Sequence, residues 1–187
     1  MVCSVSIVSP RETKAQRRPT HPLTQDTKQH MEYNLIEETV SKLIGKAPWD
    51  ARLGEGSFLT MEFGKPEANP TGHVTHGEWH LWLYMCMWRI ETQEEILAGS
   101  EDDRSRIRKL LENLDLNTIK DIRVARPSLD LWIEFTSGVK LLTFSNTTRS
   151  EEQWMLFTPD GSVLTTYGGG AFHSVRADGP RYVPNNE

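Results

Sequence analysis

Apolar residues recur along the chain at two spacings, one helical and one alternating. In residues 34–44, Leu35, Ile36, Val40, Leu43 and Ile44 fall at three- and four-residue intervals. That spacing makes one helix face, and Gly45 follows it as a stop. A second helix is expected over residues 102–114, with Ile107, Leu110, Leu111 and Leu114 as its stripe. Ser100 with Asp103 three positions later makes a capping-box-like start. Strand patterning appears in Leu59-Thr60-Met61-Glu62-Phe63 and in Leu131-Trp132-Ile133-Glu134-Phe135. Residues 139–144 and 162–167 read as further strands. The turns Ser137-Gly138 and Thr158-Pro159-Asp160-Gly161 set them up.

The same patterns suggest an internal repeat. Glu62-Phe63 and Glu134-Phe135 coincide at an offset of 134 − 62 = 72 residues. Glu78-Trp79-His80-Leu81-Trp82 aligns with Gln153-Trp154-Met155-Leu156-Phe157 at 154 − 79 = 75. Upstream, Trp49 and Ala51 lie opposite Ile122 and Val124, and each copy opens with a helix. Residues 64–77, rich in Pro, Gly and His, read as a loop where the second copy has the strand at 139–144. The expected fold is α+β: a mostly antiparallel sheet of roughly six to eight strands with two helices packed on it. A curled sheet or partial barrel is the alternative. The expected organisation is a disordered extension over residues 1–30, one domain over 31–175 containing copies at 34–90 and 102–164, and a tail over 176–187.

Composition adds bounds. A chain of 187 residues fits one domain with its own core. Cys3 and Cys86 are too few and too far apart for a disulfide framework, which makes a reducing cytoplasm the expected location. No apolar run is long enough for a membrane span, and residues 2–8 lack the flanks of a signal peptide. Residues 1–30 carry five basic and two acidic residues, 5 − 2 = +3, which leaves −5 − 3 = −8 for the rest. An acidic body disfavours nucleic acid as partner. Helical patterning begins near Met31, which makes that methionine a candidate true start.

Residues 77–89 are the most unusual stretch. Read as one strand, Trp79, Leu81, Leu83, Met85 and Met87 share a face, and Glu78, His80, Trp82, Tyr84, Cys86 and Trp88 share the other. This second face is either core or an aromatic groove with Glu78 and His80 as polar anchors. The candidate binding residues are therefore Glu78, His80, Trp82 and Tyr84, with His73 and His76 from the adjoining loop. The three histidines lack the companions and spacing of a metal site, and no metal or cofactor is expected. Glu62 and Glu134 are a possible carboxylate pair, but alternation alone places them on the wet side of a half-buried strand. Gly168-Gly169-Gly170 opens no evident helix and does not read as a phosphate loop. No set of nucleophile, base and orienting group is visible, so the reading leans away from an enzyme and leaves the question open.

The segments GSFLTMEFG (56–64) and GEWHLW (77–82), with Trp88-Arg89-Ile90, resemble a family of uncharacterised bacterial proteins. The resemblance continues through Trp154 to about Leu164 and implies no specific activity. In size and architecture the chain is also similar to small bacterial immunity and defence-associated proteins. That likeness implies a protein-binding module with a basic partner such as a toxin. A small-molecule-binding protein or enzyme using the aromatic strand face is the alternative expectation.

Overall fold

The computed structural model describes residues 25–68 and 74–177, with side chains from Tyr33 in the first segment and from His76 in the second. The elements in order are α1 (Gln25–Ser41), β1 (Pro48–Leu53), β2 (Leu59–Ala68), β3 (Val74–Leu83), β4 (Met87–Glu91), β5 (Ile96–Gly99), α2 (Arg104–Asn113), β6 (Ile119–Val124), β7 (Leu131–Phe135), β8 (Lys140–Phe144), β9 (Glu152–Phe157), β10 (Ser162–Tyr167) and β11 (Phe172–Arg176). The class is α+β, mostly antiparallel, with two helices. The strands form two sheets rather than the single sheet expected, in the orders β1-β2-β3-β9-β10-β11 and β5-β4-β8-β7-β6. Below they are the six-stranded and the five-stranded sheet. No helix among the described residues is long and apolar enough to cross a membrane.

Each helix is followed by a meander of three strands, and each meander is completed by strands from the other half of the chain. After β3 the chain crosses to place β4 beside β8; after β8 it crosses back to place β9 beside β3. Helix α1 packs on β6, and α2 packs on β1 and β5. The repeat as aligned in the sequence does not describe this arrangement. Leu59–Phe63 and Leu131–Phe135 lie in different sheets, whereas Trp79–Trp82 and Trp154–Phe157 lie on adjacent strands of one sheet. No single operation relates both pairs. In chain order the strand that corresponds to β3 is β8, which the sequence alignment treats as an extra element.

Alternation builds the core. In the six-stranded sheet Leu59, Met61 and Phe63 face inward opposite Leu83, Leu81 and Trp79. In the five-stranded sheet Ile90, Leu141, Ile133 and Ile122 form one cross-strand row. These residues belong to one hydrophobic cluster, so the sheets share a core. Helix α1 contributes Ile36 and Val40, and the turn after it contributes Leu43, whereas Leu35 and Ile44 are exposed, so the apolar stripe is narrower than the sequence suggested. The helix reaches back to Gln25, so residues 25–30 are helical rather than part of a disordered extension. Residues 1–24 and 178–187 lie outside the described residues. Gly45, at φ 81°, ends the α1 turn and donates its N–H to the Ile119 carbonyl at 2.8 Å. The cap of α2 is Asp103, which accepts from the Ser105 and Arg106 amides; Ser100 is instead buried, its N–H on the Trp88 carbonyl.

Two local expectations change. Residues 77–89 are not one strand. The pleat breaks at residues 84–86, and the buried parity switches from Trp79, Leu81 and Leu83 to Cys86, Trp88 and Ile90. Met85 and Met87 are exposed as a result. Nor are residues 64–77 a loop. Strands β2 and β3 run on to Ala68 and from Val74, and only residues 69–73 fall outside the described residues. The breakers are accommodated in a bulge between Phe63 and Pro66, with Gly64 at φ 77°. Strand β1 pairs with β2 only as far as Phe63, so among the described residues Pro66 has a neighbouring strand on its β3 side but none on its β1 side, as at a sheet edge.

Candidate functional site

The face of the six-stranded sheet turned away from the core carries two cross-strand rows. One runs Thr60, Trp82, Met155, Thr165, His173. The other begins Glu62, His80, Phe157, Val163. The main helix contacts fall on β6, β1 and β5; on this face Met155, Val163 and Thr165 are buried, whereas the Trp82 and Tyr84 side chains are only half-buried. Aromatic rings meet edge to face along this surface: Trp82 with Tyr84 at 5.2 Å, and His80 with Phe157 at 5.3 Å between centroids. Phe58 packs against Tyr84 at 4.4 Å, so the cluster also takes in the residue just before β2.

Two hollows flank Trp82. The larger, about 530 Å³, lies between His76, Gly77, Glu78 and His80 on β3 and the turn Thr158, Pro159, Gly161 after β9. Trp82 and Phe157 form its apolar floor, and Glu67 stands at its rim. The smaller, about 440 Å³, is lined by Phe58, Thr60, His80, Trp82, Tyr84 and Glu55. Among the described residues no Lys or Arg lines either hollow. The Arg176 guanidinium donates to the Asp160 carbonyl at 3.5 Å, at the turn that bounds the larger hollow.

The larger hollow exists because β3 and β9 part. They pair only from His80↔Phe157 to Leu83↔Trp154. Beyond that point β9 enters its turn while β3 continues back to Val74. The bulge in β2 shapes the other wall. Gly77 lies so close to the Phe63 backbone that a Cβ there would strike the carbonyl. The Glu62 carboxylate accepts the Gly77 N–H at 2.8 Å and holds Nδ1 of His80 with its other oxygen. Glu62 is 6% exposed, so alternation misplaced it: it is not a wetted residue but a buried clamp between the bulge and the imidazole. With Nδ1 engaged, the remaining ring nitrogen of His80 is the one left for a ligand. Glu78 accepts the Lys65 N–H at 3.2 Å and lies against Gly64, where any side chain would collide with it.

Of the residues expected to bind, Glu78, His80, Trp82 and His76 line one hollow, and Tyr84 lines the adjoining one. His76 stands 3.8 Å from the Glu67 carboxylate. His73 lies outside the described residues. Among those residues no three metal-ligating side chains converge. Glu134 does not face Glu62. It lies in the other sheet, where the Lys120 ammonium bonds it at 2.7 Å and holds its carboxyl below the usual range. Cys86 is buried, and that burial pushes its thiol up to about 12. Gly168–Gly170 is a short 3-10 turn packed on the backbone of Thr147, Arg149 and Pro127. Sequence reasoning missed Phe58, Phe157 and the clamp role of Glu62. The signal for all three is register: once residues 59–63 pair with 79–83, Glu62 must sit opposite His80. No family model, curated protein or solved structure matches the chain.

Proposed function

We propose that this chain is a protein-binding module that receives a basic partner in the groove on the open face of its six-stranded sheet. The observation that carries this reading is the make-up of the groove. Its floor is aromatic, its charged rim is Glu67, Glu78 and Glu55, and among the described residues no Lys or Arg lines it. Rings and carboxylates together suit a cation flanked by apolar groups. An immunity or defence-associated role, in which the partner is a basic toxin, is the concrete form of this proposal. The test is co-purification from the native host at physiological salt, using wild type and Trp82→Ala side by side. The expected result is a basic protein held by wild type and lost from the variant. Equal recovery by both removes the groove from the interface, and no partner at all counts against protein binding.

The Glu62–His80 pair favours a second reading, a small-molecule site or enzyme. An imidazole fixed by a buried carboxylate beside an open hollow is the arrangement a polar ligand or a general base requires. Under this reading a small organic cation raises the melting temperature of wild type but not of His80→Ala. Equal shifts in both proteins would remove His80 from the site.

A further inference from the structure

We infer that the larger hollow accepts an extended peptide strand, which pairs with the edge of β3 that no strand among the described residues covers and places a basic side chain against Glu78. The inference rests on the protein-binding reading above and specifies what part of the partner enters.

The first ground is an incomplete ladder. Strand β3 spans Val74–Leu83 and is paired along its β2 side as far as Val74↔Ala68. On its other side β9 covers only residues 80–83. Among the described residues, the β9-side edge of residues 74–79 has no neighbouring strand. Such an edge is a template for another chain, and strand addition is a common way to read a partner's backbone. The second ground is placement. The hollow opens along this edge: His76, Gly77 and Glu78 form one wall, and the turn Thr158, Pro159, Gly161 forms the other. Its volume of about 530 Å³ suits a few residues of extended chain rather than a folded element. The third ground is charge. An extended strand turns alternate side chains to one face. On the open face they meet Glu78, then the rings of Trp82 and Phe157. A guest alternating basic and apolar residues matches that order. The acidic wall is held in place, Glu78 by the Lys65 amide and the bulge by Glu62, so little ordering of it remains to be done on binding.

The test uses the full chain and a capped peptide alternating arginine and valine, with a second copy of the peptide N-methylated at alternate amides. The Gly77 amide is already bonded to Glu62. Calorimetry gives affinity, and amide exchange reports protection at the His76 and Glu78 amides, which share the parity of Tyr84, whose N–H donates to β9. The expected result is binding that protects these amides and weakens at least about tenfold on N-methylation, the loss of roughly one or two backbone hydrogen bonds. Glu78→Gln, which keeps an acceptor for Lys65, should weaken binding several-fold, and less so at high salt. If the peptide binds but N-methylation changes nothing, or the β3 amides stay unprotected, strand addition is overturned while the groove still stands as a binding site. If Trp82→Ala leaves peptide affinity unchanged, the groove reading falls with it. No binding of either peptide rejects the basic-strand proposal, and the co-purification result is unaffected.

Discussion

The indole N–H of Trp154 donates to the backbone carbonyl of Leu129 at 2.8 Å, across the seam between the two sheets. Trp154 lies on β9 of one sheet; Leu129 lies two residues before β7 of the other. A second contact runs the opposite way, from Trp88 on β4 to the carbonyl of Ser57 just before β2, at 2.6 Å. Both rings are almost fully buried. Each tryptophan thus fills the core of its own sheet and satisfies a carbonyl at the entry to a strand of the other. Leu129 has a φ of 60°, a region a leucine occupies only when its surroundings hold it there. Trp154→Phe should therefore cost about 1–3 kcal/mol, mostly from the unpaired buried carbonyl. Trp154→Ala should cost about 3–5 kcal/mol. Urea titration checks both, and a near-native midpoint for the alanine variant would remove this ring from the core.

Much of this core was legible in the sequence, and the reason is periodicity. Leu59, Met61 and Phe63, and equally Leu131, Ile133 and Phe135, declare an inward face because a pleat alternates. The helical stripes declare themselves in the same way. The exchange of strands between the two halves was not legible, because alternation says which face is buried and not which strand lies alongside. The site was half legible. Glu78, His80 and Trp82 stand out as polar and aromatic residues on one strand face. Glu62 does not, because a carboxylate on the outward parity normally meets water. Only its pairing opposite His80, beside a bulge that leaves the Gly77 amide to be satisfied, makes burial tolerable.

That clamp gives a prediction for Glu62. Glu62→Leu leaves the Gly77 N–H without its acceptor and frees the imidazole, at a cost of about 1–3 kcal/mol for the unsatisfied amide. Glu62→Gln keeps an oxygen for Gly77 and should cost less. Both variants should weaken ligand binding in the hollow, because His80 loses its fixed orientation. Equal stability of the leucine variant and wild type would show that the clamp contributes nothing.

Gly77 tests the bulge itself. A Cβ at this position runs into the Phe63 backbone, which cannot move aside as a side chain can. Gly77→Ala should cost about 1–3 kcal/mol through this overpacking. Gly99→Ala is the matched control: its added Cβ would lie 3.7 Å from the Trp88 carbonyl, an ordinary contact. Thermal melts of the two variants should separate clearly, and an equal melting temperature would contradict the close approach.

Cys86 gives a pH dependence of defined sign. Burial raises its thiol to about 12, whereas an unfolded cysteine ionises near about 8.5. Between these values the unfolded chain has released a proton that the native chain still holds. Stability from this group is thus fully present below the unfolded value and is lost as pH rises, at about 1.4 kcal/mol per pH unit inside the window. The stability difference between wild type and Cys86→Ala should be flat at neutral pH and shift against wild type above about pH 9. The native thiol should also resist alkylation at neutral pH and react once the chain is unfolded. A pH-independent difference, or fast native labelling, would place Cys86 at an accessible position.

Trp79 and Trp82 sit three residues apart on β3 and face opposite ways, and comparing them separates fold from function. Trp79 pairs with Phe63 on the core side and is 6% exposed. Trp82 pairs with Thr60 on the open side and is held mainly by neighbouring rings, Tyr84 at 5.2 Å and Phe58 at 6.3 Å. Truncating the first opens a cavity, so Trp79→Ala should cost about 3–5 kcal/mol. Truncating the second removes aromatic pair contacts of about 0.5–1.5 kcal/mol each and leaves a wetted gap, so Trp82→Ala should cost roughly 1–2 kcal/mol. Binding should follow the reverse order. A half-buried ring that adds little to the fold can be retained for a partner, and tryptophans at the centre of interfaces are the side chains whose loss is felt most. Trp82→Ala should therefore fold and fail to bind, while Trp79→Ala should lose binding only in proportion to its unfolded fraction. Denaturant titration and peptide affinity on the same two samples decide it. If Trp82→Ala destabilises the chain as much as Trp79→Ala does, the open face is a second core, and the binding site must be sought elsewhere on the molecule.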